Sequence, residues 1–437
     1  MIGVRLGMSD LFAARTQMAL SLGFHIVFAE IGIAMPVLMV LAEWRWTRTE
    51  DAVFLQLAKR WAKGTAILFA VGAVSGTVLS FELGLLWPRF MQLAGPIIGV
   101  PFSLEGFAFF TEAIFLGVYL YGWDRISRRA HLAAGVIVAV SGAASAVFVV
   151  MVNAWMNTPA GITLSGATIS AVDPIAGMFN PSTVQQTLHM LLAAYAATGL
   201  AVAGIHAAVL LRKRDSAFHR AAFTIALGVG VPAAILQPVS GDLSARTVAA
   251  WQPIKLAALE GQFATERGAP LRIGGWPNVQ REKTSFALEI PRGLSLLAFH
   301  DPSAEVRGLT AFPRDLWPPI IPVHFGFQIM VGLGTAMALV SACVLFLFVR
   351  HRPIVDRAWL LRLLAIVAPF GFIATEAGWT VTEVGRQPWV VQGVIRTADA
   401  VTPMPGLVVP MTIFALLYLA LSAIVVTLVR SLVRETT

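Results

Sequence analysis

The chain has 437 residues, 57% of them hydrophobic and only 13% charged, with a mean hydropathy of +0.75. Soluble domains carry about 25% charged residues, so this composition excludes one and makes hydrocarbon the chain's main solvent. The net charge of +8, from 32 Lys and Arg against 24 Asp and Glu, does not point to a nucleic-acid partner, because the basic residues fall in short loops between apolar runs.

Apolar runs of about 20 residues, the length that crosses a bilayer, predict nine transmembrane helices over 17–42, 64–86, 97–121, 132–152, 184–211, 221–239, 318–349, 360–384 and 408–429. The fold expected is an all-α polytopic membrane bundle, since a lipid-exposed backbone must satisfy its own hydrogen bonds. Clusters at Arg45 to Lys63, Arg125 to Arg129, Arg212 to Arg220, Arg350 to Arg362 and Arg430 to Arg434 hold more than half of the basic residues, all on one side. The opposite short segments hold only Arg5, Arg15, Arg89, Arg386 and Arg396. The positive-inside rule then puts the N-terminus outside and the C-terminus in the cytoplasm. The first apolar stretch is too long for a signal peptide and ends in no small-residue cleavage site.

One segment stands apart. Residues 240–317 carry about twice the charge density of the rest, with Gly-Asp, Gly-Gly and Trp-Pro turn signals and a short helix expected over 255–263. The expected organisation is 1–239 with helices one to six, 240–317 as an extracytoplasmic lobe, and 318–437 with the last three helices.

A charge in hydrocarbon costs roughly 2.5 kcal/mol or more, which makes ionisable residues within spans functional candidates. They are His25, Glu30, Glu82, Glu105, Glu112, His189, His206 and Glu376, with His324 and Glu383 nearer span ends and Met330 as a soft ligand. At about 1.5 Å per residue, His25 lies about 12 Å from the outer end of its span, His189 about 8 Å, Met330 about 18 Å, Glu105 about 12 Å and Glu376 about 14 Å. Five donors from five helices thus share the outer half of the membrane, where a bundle can hold a cofactor between facing helices. A lone intramembrane His more often bonds a neighbouring helix, and a lone Met is more often core. His206 is expected to snorkel toward Arg212, and His131, His219, His300 and His351 to lie in loops. The single cysteine, Cys343, excludes disulfides, and no C-x-x-C-H string exists for covalent haem attachment.

Several strings together resemble the subunit I family of cytochrome bd-type quinol oxidases, of the short-loop type. They are Glu376-Ala-Gly-Trp379 followed by Gly385-Arg-Gln-Pro-Trp389, Leu104-Glu-Gly-Phe-Ala-Phe-Phe-Thr-Glu112 leading to Gly122-Trp-Asp-Arg125, Asn153-Ala-Trp-Met156, and Ile329-Met-Val-Gly332. The matches span nearly the whole chain.

The resemblance implies a haem-containing subunit that oxidises quinol outside and reduces dioxygen to water with cytoplasmic protons. It assigns His189 and Met330 as axial ligands of a low-spin haem b, a pair that raises the potential. His25 and Glu376 become the ligands of a high-spin haem b and a haem d, in undivided order, with a third haem b in place of haem d as the alternative. Glu105 and Glu112 are the paired acids of a proton path, Lys255 and Glu260 the quinol pair of the loop called the Q-loop, and Arg386 a partner for a haem propionate. A second large membrane subunit, and in many members a small single-span one, completes the family's complex in the lipid of the bacterial cytoplasmic membrane. This chain departs from some members in the Glu105–Glu112 spacing of seven, in Gln328 where Arg stands elsewhere, and in Glu30.

Two other readings compete. A transporter or proton channel using the same acids predicts two related halves with broken helices, and no such halves are visible. A haem b electron carrier without oxidase turnover needs His189 and Met330 but not Glu105, Glu112, Lys255 or Glu260, and this chain has all of them.

Overall fold

The computed structural model describes residues 9–165 and 168–434; Arg5 lies outside them. In chain order the elements are α1 (Asp10–Thr49), α2 (Ala52–Leu86), α3 (Pro88–Tyr121), α4 (Arg128–Asn157), β1 (Ile162–Ser165), β2 (Thr168–Val172), α5 (Pro174–Met178), α6 (Thr183–Leu210), α7 (Ala217–Trp251) and α8 (Pro253–Glu260). There follow β3 (Glu266–Arg267), β4 (Leu271–Asn278), β5 (Lys283–Ile290), α9 (Gly293–Phe299), β6 (Glu305–Val306), α10 (Ile320–Val349), α11 (Ala358–Val367), α12 (Phe370–Val384), β7 (Trp389–Val391), β8 (Ile395–Arg396), α13 (Thr397–Ala400) and α14 (Val408–Arg434). Among the described residues nine helices are long and apolar enough to cross a membrane, the eighth being α11 with α12. Each predicted span coincides with one of them.

The helix ends are where sequence and structure part. Hydropathy marks where a chain leaves hydrocarbon, whereas a helix stops at a cap. Thus α1 starts at Ser9, whose hydroxyl accepts the Phe12 N–H, and α2 starts at Asp51, which accepts the Val53 N–H. The sixth span, expected to end at 239, continues as helix to Trp251 despite Pro232 and Pro238. Its expected Gly241-Asp242 turn is therefore helical. Ser240, Ser244 and Thr247 return their hydroxyls to carbonyls three or four residues back, so the segment turns polar without leaving the helix. The expected eighth span is broken between Val367 and Phe370, around Pro369.

The polar segment adds short antiparallel ladders to the helical frame: β4 pairs with β5 and β3 with β6. The Gly-Gly and Trp-Pro signals lie inside β4. Gly275 has φ +97°, and a Cβ there would come within 2.8 Å of Thr284, so only glycine serves. The short helix expected over 255–263 is α8.

Packing groups the chain into two units, one of residues 1–96, 110–142 and 397–437, the other of 97–109 and 143–396. In the first, α1 packs along α2, with α14 against both. His131, expected in a loop, is a buried α4 residue; its Nε2–H donates to the Tyr119 carbonyl at 2.8 Å and its Nδ1 lies 2.8 Å from Glu43 Oε1. In the second unit α6 pairs with α7, α11 and α12 pack on α6, and α10 packs on α7 and α12. His206 does not snorkel. It is buried, with Nδ1 2.8 Å from Nδ1 of His219, which is also helical and buried rather than in a loop. In both cases an interhelical partner was available, and the burial of the ring outweighs its polarity.

The α6–α7 pair meets backbone to backbone: a Cβ on Gly199 would lie 2.6 Å from the Gly230 Cα. Small residues allow this approach. Gly199→Val should force the helices apart at a cost of about 1–3 kcal/mol, seen as a lower thermal midpoint of the solubilised protein. Gly228→Ala, facing open space, should leave the midpoint unchanged or higher.

Candidate functional site

Two histidines are presented in the same way. In the first unit His25 on α1 has Nδ1 3.0 Å from the Ser75 hydroxyl of α2. That hydroxyl donates its only proton to the Val71 and Gly72 carbonyls, at 3.0 and 3.1 Å, so it accepts the Nδ1–H. The lone pair of His25 is therefore on Nε2. In the second unit His189 on α6 has Nδ1 2.9 Å from the Ser240 hydroxyl of α7, which donates to the Gln237 carbonyl at 2.9 Å. The His189 Nε2 lone pair receives only the Gln237 amide, at 3.1 Å. A hydrogen bond on one ring nitrogen that fixes the tautomer of the other is the hallmark of a metal-binding His.

Glycines back the candidate ligands. A Cβ on Gly76 would lie 3.0 Å from His25 Cε1, one on Gly241 3.7 Å from His189 Cε1, and one on Gly378 3.0 Å from Met330 Sδ. Met330 on α10 and Glu376 on α12 lie in the second unit with His189. Glu376 has Oε1 buried without a partner.

Two turns along α12 from Glu376 lies Glu383, near the end of that helix. Its Oε1 accepts from Asn153 Nδ2 and its Oε2 from Arg386 Nη2, the latter at 2.6 Å. Asn153 and Arg386 belong to two of the strings singled out above, a conjunction visible only in three dimensions. Arg386 is 2% exposed, and its Nε and Nη1 are buried without partners.

The two acids of α3 each meet α4. In the second unit Glu105 Oε1 accepts the Ser145 hydroxyl at 3.2 Å. In the first, Glu112 is buried, and a Cβ on Gly142 would lie 3.1 Å from its Oε1. Both carboxyls can hold a proton away from bulk water.

Lys255 and Glu260 share α8 but not a surface, and both are buried, at 5% and 1% exposure. An exposed ion pair is thereby excluded. Lys255 Nζ donates to Asn157 Oδ1 at 2.8 Å and Gln252 Oε1 at 3.0 Å, and Asn157 in turn donates to Asn153 Oδ1 at 3.0 Å. Burial, with the nearby Arg386 charge adding to it and Glu383 opposing, lowers the Lys255 pKa to about 7. Burial raises that of Glu260 to about 8, against the pull of the Arg272 charge and backbone N–H. A cavity of about 80 Å³ opens beside Lys255, lined by Gln252, Phe312, Arg386 and Trp389.

Residues 13–437 match the family model for cytochrome bd terminal oxidase subunit I. The chain belongs to that family. It is 39% identical, over 96% of its own length and 95% of the relative's, to a Bacillus subtilis protein assigned as a cytochrome bd menaquinol oxidase subunit I. It is 31% identical, over 96% and 92%, to the cytochrome bd ubiquinol oxidase subunit 1 of the same organism. The bd oxidase structure from Geobacillus thermodenitrificans matches it with a TM-score of 0.91 at 38% identity, over 98% of this chain and 99% of that one. As a subunit I, a cytochrome bd chain is the haem-bearing part of a terminal oxidase and works with a subunit II.

The residues fit haem. His25 and His189 each offer an Nε2 lone pair, that of His189 held meanwhile by the Gln237 amide, Met330 a thioether, Glu376 an unpartnered buried oxygen, and Arg386 two unpartnered nitrogens whose N–H groups suit a carboxylate such as a propionate. Among the described residues no cluster of three or more His, Cys, Asp or Glu is placed to hold a bare metal ion; a porphyrin supplies four donors itself and asks the cytochrome bd chain for only one or two. Removing the acceptor that holds Lys255 should be costly, because both Lys255 and Gln252 bond it. Asn157→Leu should lower the stability of the solubilised oxidase by about 1–3 kcal/mol, read as a fall in thermal midpoint, with Asn157→Asp costing less.

Proposed function

We propose that this subunit oxidises quinol at the lobe beside Lys255 and Glu260, on the outer face, and that dioxygen is reduced at the haems that His25 and Glu376 would hold, one each. The reading rests most on the two serine-oriented histidines, each with Nδ1 committed to a serine and its lone pair on Nε2. Haem bound at these residues supplies the electron relay and an iron with a face open to oxygen. His189 and Met330 hold the low-spin haem b. His25 and Glu376 hold a high-spin haem b and a haem d, or a third haem b in its place. Pyridine-haemochrome spectra separate these last two.

Glu383 is a second reading for the α12 ligand, favoured by its bonds to Asn153 and Arg386, since ligating carboxylates are themselves hydrogen-bonded. Glu376→Ala and Glu383→Ala, each assayed for haem per polypeptide, distinguish the two: the ligand's variant loses one haem, the other keeps all.

In the lobe, Glu260 accepts a proton from the quinol hydroxyl, and Lys255 with Gln252 and Asn157 positions the head group. Water is excluded by the burial of both groups. Glu112 and Glu105 hold and pass the protons drawn from the cytoplasm, so release and uptake on opposite faces separate charge without a pump. The N-terminus faces outward and the C-terminus the cytoplasm of a bacterial cell, within membrane lipid, and a small single-span subunit joins the complex. The transporter reading has no role for the oriented histidines, and the carrier reading none for the buried Lys255 and Glu260.

Quinol-dependent oxygen uptake by membranes should fall to background in His25→Ala and in His189→Ala, the latter also losing the low-spin haem band. Uptake that survives either change sinks the assignment of that residue. Glu260 works as a base only when ionised, and its pKa is raised to about 8. The quinol oxidation rate should therefore climb as pH rises through about 8, and Glu260→Gln should flatten that limb and lower the rate by about 100-fold.

A further inference from the structure

A quinol releases two protons on oxidation, and the reading above gives Glu260 only one of them. A second base lies on α10, which packs against α8. His324, the fifth residue of α10, is fully buried, and its Nδ1 lies 2.8 Å from the carbonyl oxygen of Leu259. A carbonyl only accepts, so Nδ1 carries the ring proton and Nε2 holds a lone pair. That Nε2 is buried without a partner.

The same holds for Oε2 of Glu260, the residue next to Leu259. On its other side, a Cβ on Gly261 would lie 3.5 Å from His324 Nδ1. The imidazole therefore lies along the backbone that carries Glu260. Ala257, Leu259, Phe263 and Val323 belong to one buried apolar cluster of α8, the loop after it and α10. Native structures leave few buried acceptors unpaired, and these two, on residues linked through the Leu259 carbonyl, point to a ligand that donates two hydrogen bonds. A hydroquinone has two hydroxyl groups.

We propose that His324 Nε2 is a catalytic residue that accepts the second proton of quinol oxidation, a role that rests on the assignment of quinol to this lobe. One hydroxyl O–H bond breaks with its proton bonding to Glu260 Oε2, giving a carboxylic acid. The other breaks with its proton bonding to His324 Nε2, giving an imidazolium whose Nδ1–H stays on the Leu259 carbonyl. The two electrons leave toward the oxidase's haem and finally dioxygen, the oxidant of the established activity. Both protons are then released from the lobe to water.

The test uses whole oxidase in membranes, with a short-chain ubiquinol and a short-chain menaquinol as probes. His324→Asn keeps an N–H where Nδ1 donates to Leu259 but removes the base at Nε2. The expected result is a fall of about 100-fold in kcat, with KM within about threefold, haem content unchanged, and haem reduction by dithionite intact. A purely structural His324 predicts near-normal kcat in this variant, and turnover within twofold of the unaltered enzyme overturns the proposal. Glu260→Gln, run beside it, separates the two levels: loss there with normal His324→Asn sinks only the role of His324, whereas normal rates in both sink the assignment of quinol to the lobe. If His324→Asn accumulates without haem, His324→Gln, which also lacks a base, is judged by the same criteria.

Discussion

A serine hydroxyl has one proton to give, and within a helix a nearby carbonyl claims it. At Ser75 and at Ser240 that commitment turns the oxygen into an acceptor, which takes the Nδ1–H of a histidine on the neighbouring helix. The function proposed for this oxidase subunit depends on the consequence, an imidazole in a known tautomer with its lone pair on Nε2. In water such an arrangement would be worth little. In hydrocarbon no solvent competes for the serine or the ring, so the orientation persists.

The lobe applies the opposite device. Its Lys255 and Glu260 are removed from water, and burial moves both toward neutrality near physiological pH. A base that is half protonated at working pH can both take and return a proton, which a surface carboxylate cannot do. The amide groups of Asn157 and Gln252 hold the Lys255 ammonium without neutralising it, leaving its charge responsive to whatever occupies the neighbouring cavity.

What could be read from the sequence follows from which forces are local. Each span was legible because hydropathy over 20 residues is a one-dimensional property, and His25 and His189 stood out because ionisable side chains in such runs are rare, whereas Met330, one of 14 methionines, was marked only by the resemblance. Helix ends were not legible where, as from Ser240 to Trp251, polar side chains fold back on their own helix and continue it. The partners of the histidines lie about 50 residues away, at Ser75 and Ser240, and serine in a membrane helix carries no distinguishing signal. His131 and His206 were misplaced because their partners, Glu43 and His219, come from other helices. The position of Glu383 beside Asn153 and Arg386 is a product of folding alone, as is the bond to Leu259 that fixes the tautomer of His324 near the start of α10.

The unbroken run of α7 past its polar turn has a geometric outcome. The same rod carries Gln237 and Ser240 at His189 and ends at Trp251, where a single residue, Gln252, joins it to the helix of Lys255. From Ser240 to Trp251 the rise is about 16 Å. The spacing between the helix of Lys255 and the first imidazole is thus ruled by peptide geometry, like marks on a ruler, and does not depend on the length of the hairpins beyond.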